Sequence, residues 1–296
     1  MPSVSTIQAY VQLTRPQNAS GSVLTYCIGY FLVTRRLSFD FFVGLAILLA
    51  LHSLATVQND IEDFDIDRAN KRKSIIQNET LTINNAKFFV QALAFLAVVL
   101  ALLSPHRRLH LIAIAGLLLI AWIYNTNPVR ASKKPLFSIF TMGICYGALP
   151  FIYGYFVAQG KASSNYFFAF VILLFLARVA TAIMKDYKDA AGDRIFNKET
   201  FYLRFGKKIT GWTSITSSLI AYAGILLAVL LISSKSMVFV LAFVIATILA
   251  ARNIIQRFGL VRNNSEKQLN IIFHKSVFMH NQFEAAILLC LILSSK

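Results

Sequence analysis

Two acidic segments of this 296-residue chain carry the residue types that could do chemistry. The first reads Asn59-Asp60-Ile61-Glu62-Asp63-Phe64-Asp65-Ile66-Asp67. Asn59, Asp63 and Asp67 fall at i, i+4 and i+8, so on a continuous helix they share one face. The second reads Asp186-Tyr187-Lys188-Asp189-Ala190-Ala191-Gly192-Asp193, with its aspartates at i, i+3 and i+7. Like charges stacked on one face repel unless a cation sits among them. Carboxylate oxygens with no Cys or His beside them suit hard cations, magnesium above all. Magnesium keeps positions for water and phosphate oxygens. Two facing acidic segments, each with one ion, would therefore clamp a diphosphate. Bases accompany both segments. Arg68, Lys71, Arg72 and Lys73 follow the first, Lys185, Lys188 and Arg194 interleave with the second, and Arg130, Lys133 and Lys134 lie between. Metal with Lys and Arg around a phosphate is the electrostatic device that stabilises a departing diphosphate.

The elements that must position these residues are membrane helices. Apolar residues make up 57% of the chain and the mean hydropathy is +0.62, which excludes an ordinary water-soluble globule. Runs long enough for a bilayer predict nine spans near 17–34, 39–58, 86–104, 109–124, 136–157, 164–185, 210–232, 236–255 and 270–293. The expected class is all-α, a polytopic membrane protein with one domain over 1–296. Short loops alternate with long charged ones at 59–85, 125–135, 186–209 and 256–269. The long-loop side holds 22 of the 29 Lys and Arg, so it is expected to face the cytoplasm together with the N-terminus. Ten of the 13 acids lie in the two segments at 60–79 and 186–199, on that same side. The halves echo each other at a spacing of about 126 residues, a weak sign of internal duplication.

The pair NDxxDxxxD and DxxDxxxD resembles the motifs of the UbiA superfamily of intramembrane prenyltransferases. Leu13-Thr14-Arg15-Pro16 is similar to the family's LxRP entry to its first helix, and Tyr124-Asn125 through Pro128-Val129-Arg130 to Lys134 is similar to its Tyr…Arg/Lys segment. Gly192-Asp193-Arg194 with Lys198, Thr200 and Gly206 resembles its GDR…GK.T…G stretch. Lys73-Ser74 stands where the family often has Arg-Pro, and Asn197 where it has Gly. The resemblance implies nine helices around a central cavity that opens to lipid and is capped by the two Asp-rich loops. It implies magnesium-dependent transfer of a polyprenyl group from its diphosphate to an aromatic or quinone-precursor acceptor. Asn59, Asp63 and Asp67 would bind one ion and Asp186 with Asp189 the other, with Asp60 and Asp193 as ligands or beside them. Asp63, Asp67, Asp186 and Asp189 would carry the catalysis. Arg15, Asn18, Arg68, Lys71, Arg72, Tyr124, Arg130, Lys134, Arg178, Lys185, Lys188 and Arg194 would contact substrate. A related implied outcome is a cyclase of the same family, in which the cation closes on itself.

Some polar residues lie inside the spans. Arg178, two turns before Asp186, is costly in a bilayer and expected to face the cavity, toward a diphosphate or an acceptor carboxylate. Asn18 is read as lining the acceptor site or capping a helix. His52 is read as a satisfied core histidine. His280 and Glu284, at i and i+4, are read as an internal pair, with a proton-accepting base as the second reading. Cys27, Cys145 and Cys290 are far apart and are expected to be buried thiols, not a disulfide or zinc framework. The polar residues through Arg15 and Pro16 lack the pattern of a cleavable leader, so none is expected. A transporter reading is disfavoured because the acids cluster at one membrane face, not at midplane in broken helices. A nucleic-acid partner is excluded, since the bases sit in loops between spans without a soluble module. The expected partners are an isoprenyl diphosphate, a lipophilic or aromatic acceptor and membrane lipid. Asp63→Asn and Asp189→Asn are each expected to abolish diphosphate release from a labelled prenyl diphosphate in a membrane assay.

Overall fold

The computed structural model describes residues 6–69, 74–78, 80–161, 165–188, 190–196, 198–232, 236–262 and 265–294. Among them the chain is entirely helical. Helix α1 (Thr6–Thr14) leads into α2 (Pro16–Val33) and α3 (Phe39–Glu62). A short α4 (Phe64–Ala69) precedes α5 (Ile83–Leu102) and α6 (Arg107–Asn125). Helices α7 (Pro135–Gly143) and α8 (Leu149–Val157) form one rod through a π turn at Ile144–Ala148. Then come α9 (Asn165–Ala182), the six-residue α10 (Ala190–Ile195), α11 (Phe201–Ile232), α12 (Met237–Arg262) and α13 (Glu266–Leu293).

Local signals in the sequence set several of these ends. Proline stands first in α2 and α7, where its missing N–H costs nothing. Ser38 and Thr82 cap α3 and α5 by accepting from the backbone N–H of Phe41 and Asn85, each at 3.2 Å. Pro150 cannot donate, and the wider turn just before it absorbs that loss, with Leu149 N–H donating to Ile144 O.

Among the described residues, seven rods are long and apolar enough to cross a membrane: α3, α5, α6, α7–α8, α11, α12 and α13. The other two expected spans coincide with α2, whose first turns are polar, and α9, which is shorter. Seven is thus the number that length and composition support. Helix α9 also ends at Ala182, before the expected limit of 185. A 3₁₀ turn at Lys185–Lys188 follows it, so the second acidic segment is not one continuous helical face.

In lipid, helices gain little from hydrophobic burial against each other, and close backbone approach takes its place. Helices α2 and α8 show this. A Cβ on Gly29 would lie 2.1 Å from Phe151 O, and one on Gly154 would lie 2.0 Å from Tyr26 O. The main core lies beside this contact, with Phe151 stacked on Phe170 of α9 at 5.7 Å. Helices α3, α5 and α6 form a second apolar cluster around Ile47, Leu51 and Ile114. Gly29→Ala is expected to force these backbones apart and to cost about 1–3 kcal/mol, read as a lower melting temperature in detergent.

Candidate active site

The first acidic segment breaks at Asp63, yet its register survives. Asp63 ends α3 and donates its N–H to Asn59 O at 2.9 Å, and Asp67 N–H donates to Asp63 O at 2.8 Å. These i, i+4 bonds carry the helical spacing across the junction. Asn59, Asp63 and Asp67 therefore line one cavity of about 320 Å³, together with Asp193 of α10.

All three of these aspartates are buried. An ionised carboxylate in that position needs cations or hydrogen bonds. Arg130 Nη2 donates to Asp63 Oδ1 at 2.8 Å and to Glu62 O at 2.7 Å. Lys198 Nζ lies 3.5 Å from Asp63 Oδ2 and 3.5 Å from Asp193 Oδ1, so one ammonium joins the two acidic segments. Burial pushes the Asp63 carboxyl upward, but the Lys198 charge and the Arg130 hydrogen bond outweigh it and hold the group below the usual carboxylate range. Nearby Lys133 is pushed down, by burial first and then by the Arg130 charge. Asn59 Nδ2 donates to Asp63 Oδ2 at 3.3 Å and to Asn125 Oδ1 at 3.1 Å.

A second cavity of about 210 Å³ adjoins the first, and Asn18, Asn59, Tyr124, Met142, Tyr146 and Lys185 stand in both walls. The π turn presents Cys145 and Tyr146 to it. Lys185 donates to the Tyr124 hydroxyl, with its Nζ 5.1 Å from the ring centroid. Leu48, Leu51, Leu117 and Ala121 make much of this cavity apolar.

On the far wall of the larger cavity is Arg178. Its Nη2 donates to Gly21 O at 2.9 Å and to Glu284. Gly21 makes room for it, since a Cβ there would lie 2.5 Å from Arg178 Nη1. His280 Nε2 lies 3.2 Å from Glu284 Oε1, and the Tyr222 hydroxyl is 3.0 Å from His280 Nδ1. The pair read from sequence is thus part of a buried chain of four residues.

The remaining expected positions distribute unevenly. Asp60 is buried facing Arg15, outside both cavity walls, and borders a groove with Ser74 and Asn78. Arg15 also stands in the wall of the smaller cavity. Arg68 and Arg194 are exposed on α4 and α10 and line neither cavity. Lys134 begins α7 and lies 5.7 Å from the Phe137 ring centroid. Lys71, Arg72 and Asp189 fall outside the described residues, as do the side chains of Asp186 and Lys188. Cys27 and Cys290 are free and buried, and Cys145 is a free thiol in the cavity wall.

Two positions that contact these groups were not among the expected site residues. Lys198 lay within the recognised stretch after the second motif, which was the available signal. Asn125 followed the quoted Tyr124, but only its bond to Asn59 shows its place.

A magnesium ion fits this wall by donor type, since Asn59, Asp63, Asp67 and Asp193 offer oxygens. Among the described residues no three His, Cys, Asp or Glu groups are gathered closely enough to hold a metal. Asp63 is instead turned to Arg130 and Lys198, so an ion there would share the carboxylate with those bases.

The chain matches the sequence model of the UbiA prenyltransferase family over residues 22–281. It is 27% identical over 205 residues to digeranylgeranylglyceryl phosphate synthase of Methanoculleus marisnigri, covering 69% of this chain and 71% of that protein. It is 29% identical over 223 residues to homogentisate phytyltransferase of Synechocystis sp., covering 69% and 70%. Among solved structures, its fold is similar to a UbiA homologue from Archaeoglobus fulgidus bound to DMAPP and Mg2+. The TM-score is 0.71 at 17% identity, over 96% of this chain and 99% of that one.

The Lys198 contact yields a signed expectation. A carboxyl held low is charged above its lowered pKa and loses its pairing as pH falls through it. Removing Lys198 raises that pKa. Lys198→Ala is expected to move the acid limb of the stability profile to higher pH, read by thermal unfolding across pH 3–7, roughly the span over which a carboxyl titrates.

Proposed function

The chain belongs to the UbiA prenyltransferase family, and on that footing we propose magnesium-dependent transfer of a polyprenyl group from its diphosphate to a second small molecule held within the membrane. The observation that carries this reading is the meeting of Asp63, Asp193 and Lys198, with Arg130 bonded to Asp63 behind them, at a cavity that adjoins a second, largely apolar one. Two adjoining chambers suit two substrates, and this favours transfer over a cyclase outcome. The long charged loops are taken to face the cytoplasm, as the distribution of bases argues.

Residues of this chain divide the work. Lys198, Lys185 and Arg130 meet the diphosphate and offset its charge as the allylic C–O bond breaks. Asn59, Asp63, Asp67 and Asp193, joined by Asp186 and Asp189, would hold magnesium, in two sites. Bound magnesium supplies further neutralisation of the leaving diphosphate. Tyr124 and Tyr146 stand in both cavity walls, where aromatic faces favour a developing allylic cation. Helix walls keep water from that carbon. An electron-rich acceptor atom then bonds to it and gives up a proton.

Support for the chemistry comes from the Archaeoglobus fulgidus homologue bound to DMAPP and Mg2+. The names of the relatives point to two acceptor classes, a glyceryl phosphate lipid and a phenolic acid. The deciding assay uses membranes containing the chain, labelled geranyl, farnesyl or geranylgeranyl diphosphate, and either geranylgeranylglyceryl phosphate or homogentisate. Prenylated acceptor and released diphosphate are expected with magnesium and are lost with a chelator. Diphosphate release with no acceptor, giving a cyclic hydrocarbon, would instead establish the cyclase outcome.

A further inference from the structure

His52 stands apart from the phosphate machinery. It lies on α3, seven residues before Asn59, in the wall of the smaller cavity. Its ring meets Tyr146 edge-on, with centroids 5.4 Å apart. Its Nε2 is buried and has no hydrogen-bond partner among the described residues, so the satisfied core histidine read from the sequence is not what the fold contains. The same cavity is lined by Leu48, Leu51 and Ala55 of its own helix and by Leu117 and Ala121 of α6.

A buried polar nitrogen without a partner is a standing cost, and in native structures such groups are few and point to a missing ligand or a functional role. The two substrates differ in their ability to relieve that cost. A prenyl tail has neither donor nor acceptor and leaves the imidazole unpaired. An alcohol or phenol supplies both. Ligand sites of this kind place a few polar groups in an apolar wall to fix orientation. We propose that the smaller cavity receives the acceptor and that the imidazole of His52 binds its hydroxyl, making His52 a determinant of acceptor specificity. The inference rests on the prenyl-transfer reading. It adds that the acceptor bears a hydroxyl and that this group sits beside Tyr146. Arg15, in the same wall, is placed to meet an anionic group on that acceptor.

The test compares wild type, His52→Phe and His52→Gln as purified protein, with geranylgeranyl diphosphate as donor and geranylgeranylglyceryl phosphate or homogentisate as acceptor. His52→Phe keeps ring bulk and removes the hydrogen bond. Its KM for the accepted acceptor is expected to rise about tenfold, while the KM for geranylgeranyl diphosphate stays within about twofold. His52→Gln retains a side-chain donor and acceptor and is expected to recover most of the loss. An unchanged acceptor KM in His52→Phe overturns the proposal, as does an equal rise for both substrates. Calorimetric titration of the two acceptors separates this proposal from its premise. If wild type turns over neither acceptor, the transfer reading falls. Binding of one of them to wild type that weakens about tenfold in His52→Phe still upholds the contact. Equal binding by both proteins, or no binding to wild type, overturns it.

Discussion

An ionised carboxylate buried in a membrane bundle must be answered by a positive or hydrogen-bonding group, and this constraint orders most of the molecule. Lys198 between Asp63 and Asp193 is its central case. The three residues come from the end of α3, from α10 and from the segment before α11. Their mutual attraction in surroundings of low dielectric ties the two acidic segments together. Arg130 adds a fourth segment by binding both Asp63 and the Glu62 carbonyl. The same groups that stabilise these buried carboxylates carry the charge a diphosphate would need.

The rule repeats away from that centre. Asp60 is paired with Arg15 at the joint between α1 and α2. Asp40, at the other end of α3, is bound by Ser104 and by His106 at 2.6 Å. Glu284 is held by Arg178, and His280 and Tyr222 extend that chain across α13 and α11. Arg257 shows the converse, a fully buried cation held by neutral oxygens. Its Nη1 donates to Ala180 O and Ser214 Oγ, and its Nε to Asn253 Oδ1. Ala180 lies in the last turn of α9, where a cation suits the carbonyl end of a helix. These ties bring helices remote in sequence into register around the cavities.

Packing without charge provides the remaining shape. Gly29 and Gly154 let α2 and α8 touch backbone to backbone, while Gly21 leaves space for the Arg178 guanidinium. The π turn before Pro150 turns Tyr146 into the walls of both cavities. The larger cavity is thus the more polar of the two and the adjoining one mostly apolar.

The membrane class, the helical order and the first acidic motif were legible in the residues because each depends on local pattern. Hydropathy over about 20 residues marks a span, and the spacing of Asn59, Asp63 and Asp67 survives a break between helices because the i, i+4 bonds continue through it. The second motif was legible as composition but not as geometry, since a 3₁₀ turn at Lys185–Lys188 breaks the helical spacing expected of its aspartates. Pairing was beyond reach of the sequence. Nothing in the order of residues says that Lys198 bridges Asp63 and Asp193, that Asp60 turns away toward Arg15, or that His52 Nε2 lacks a hydrogen-bond partner among the described residues while His280 lies between Tyr222 and Glu284. The sequence by itself determined which groups are present and which side of the bundle they share. Only the tertiary structure decided which of them meet, because electrostatic and hydrogen-bond energies depend on distances of a few ångströms between residues separated by up to 261 positions in the chain.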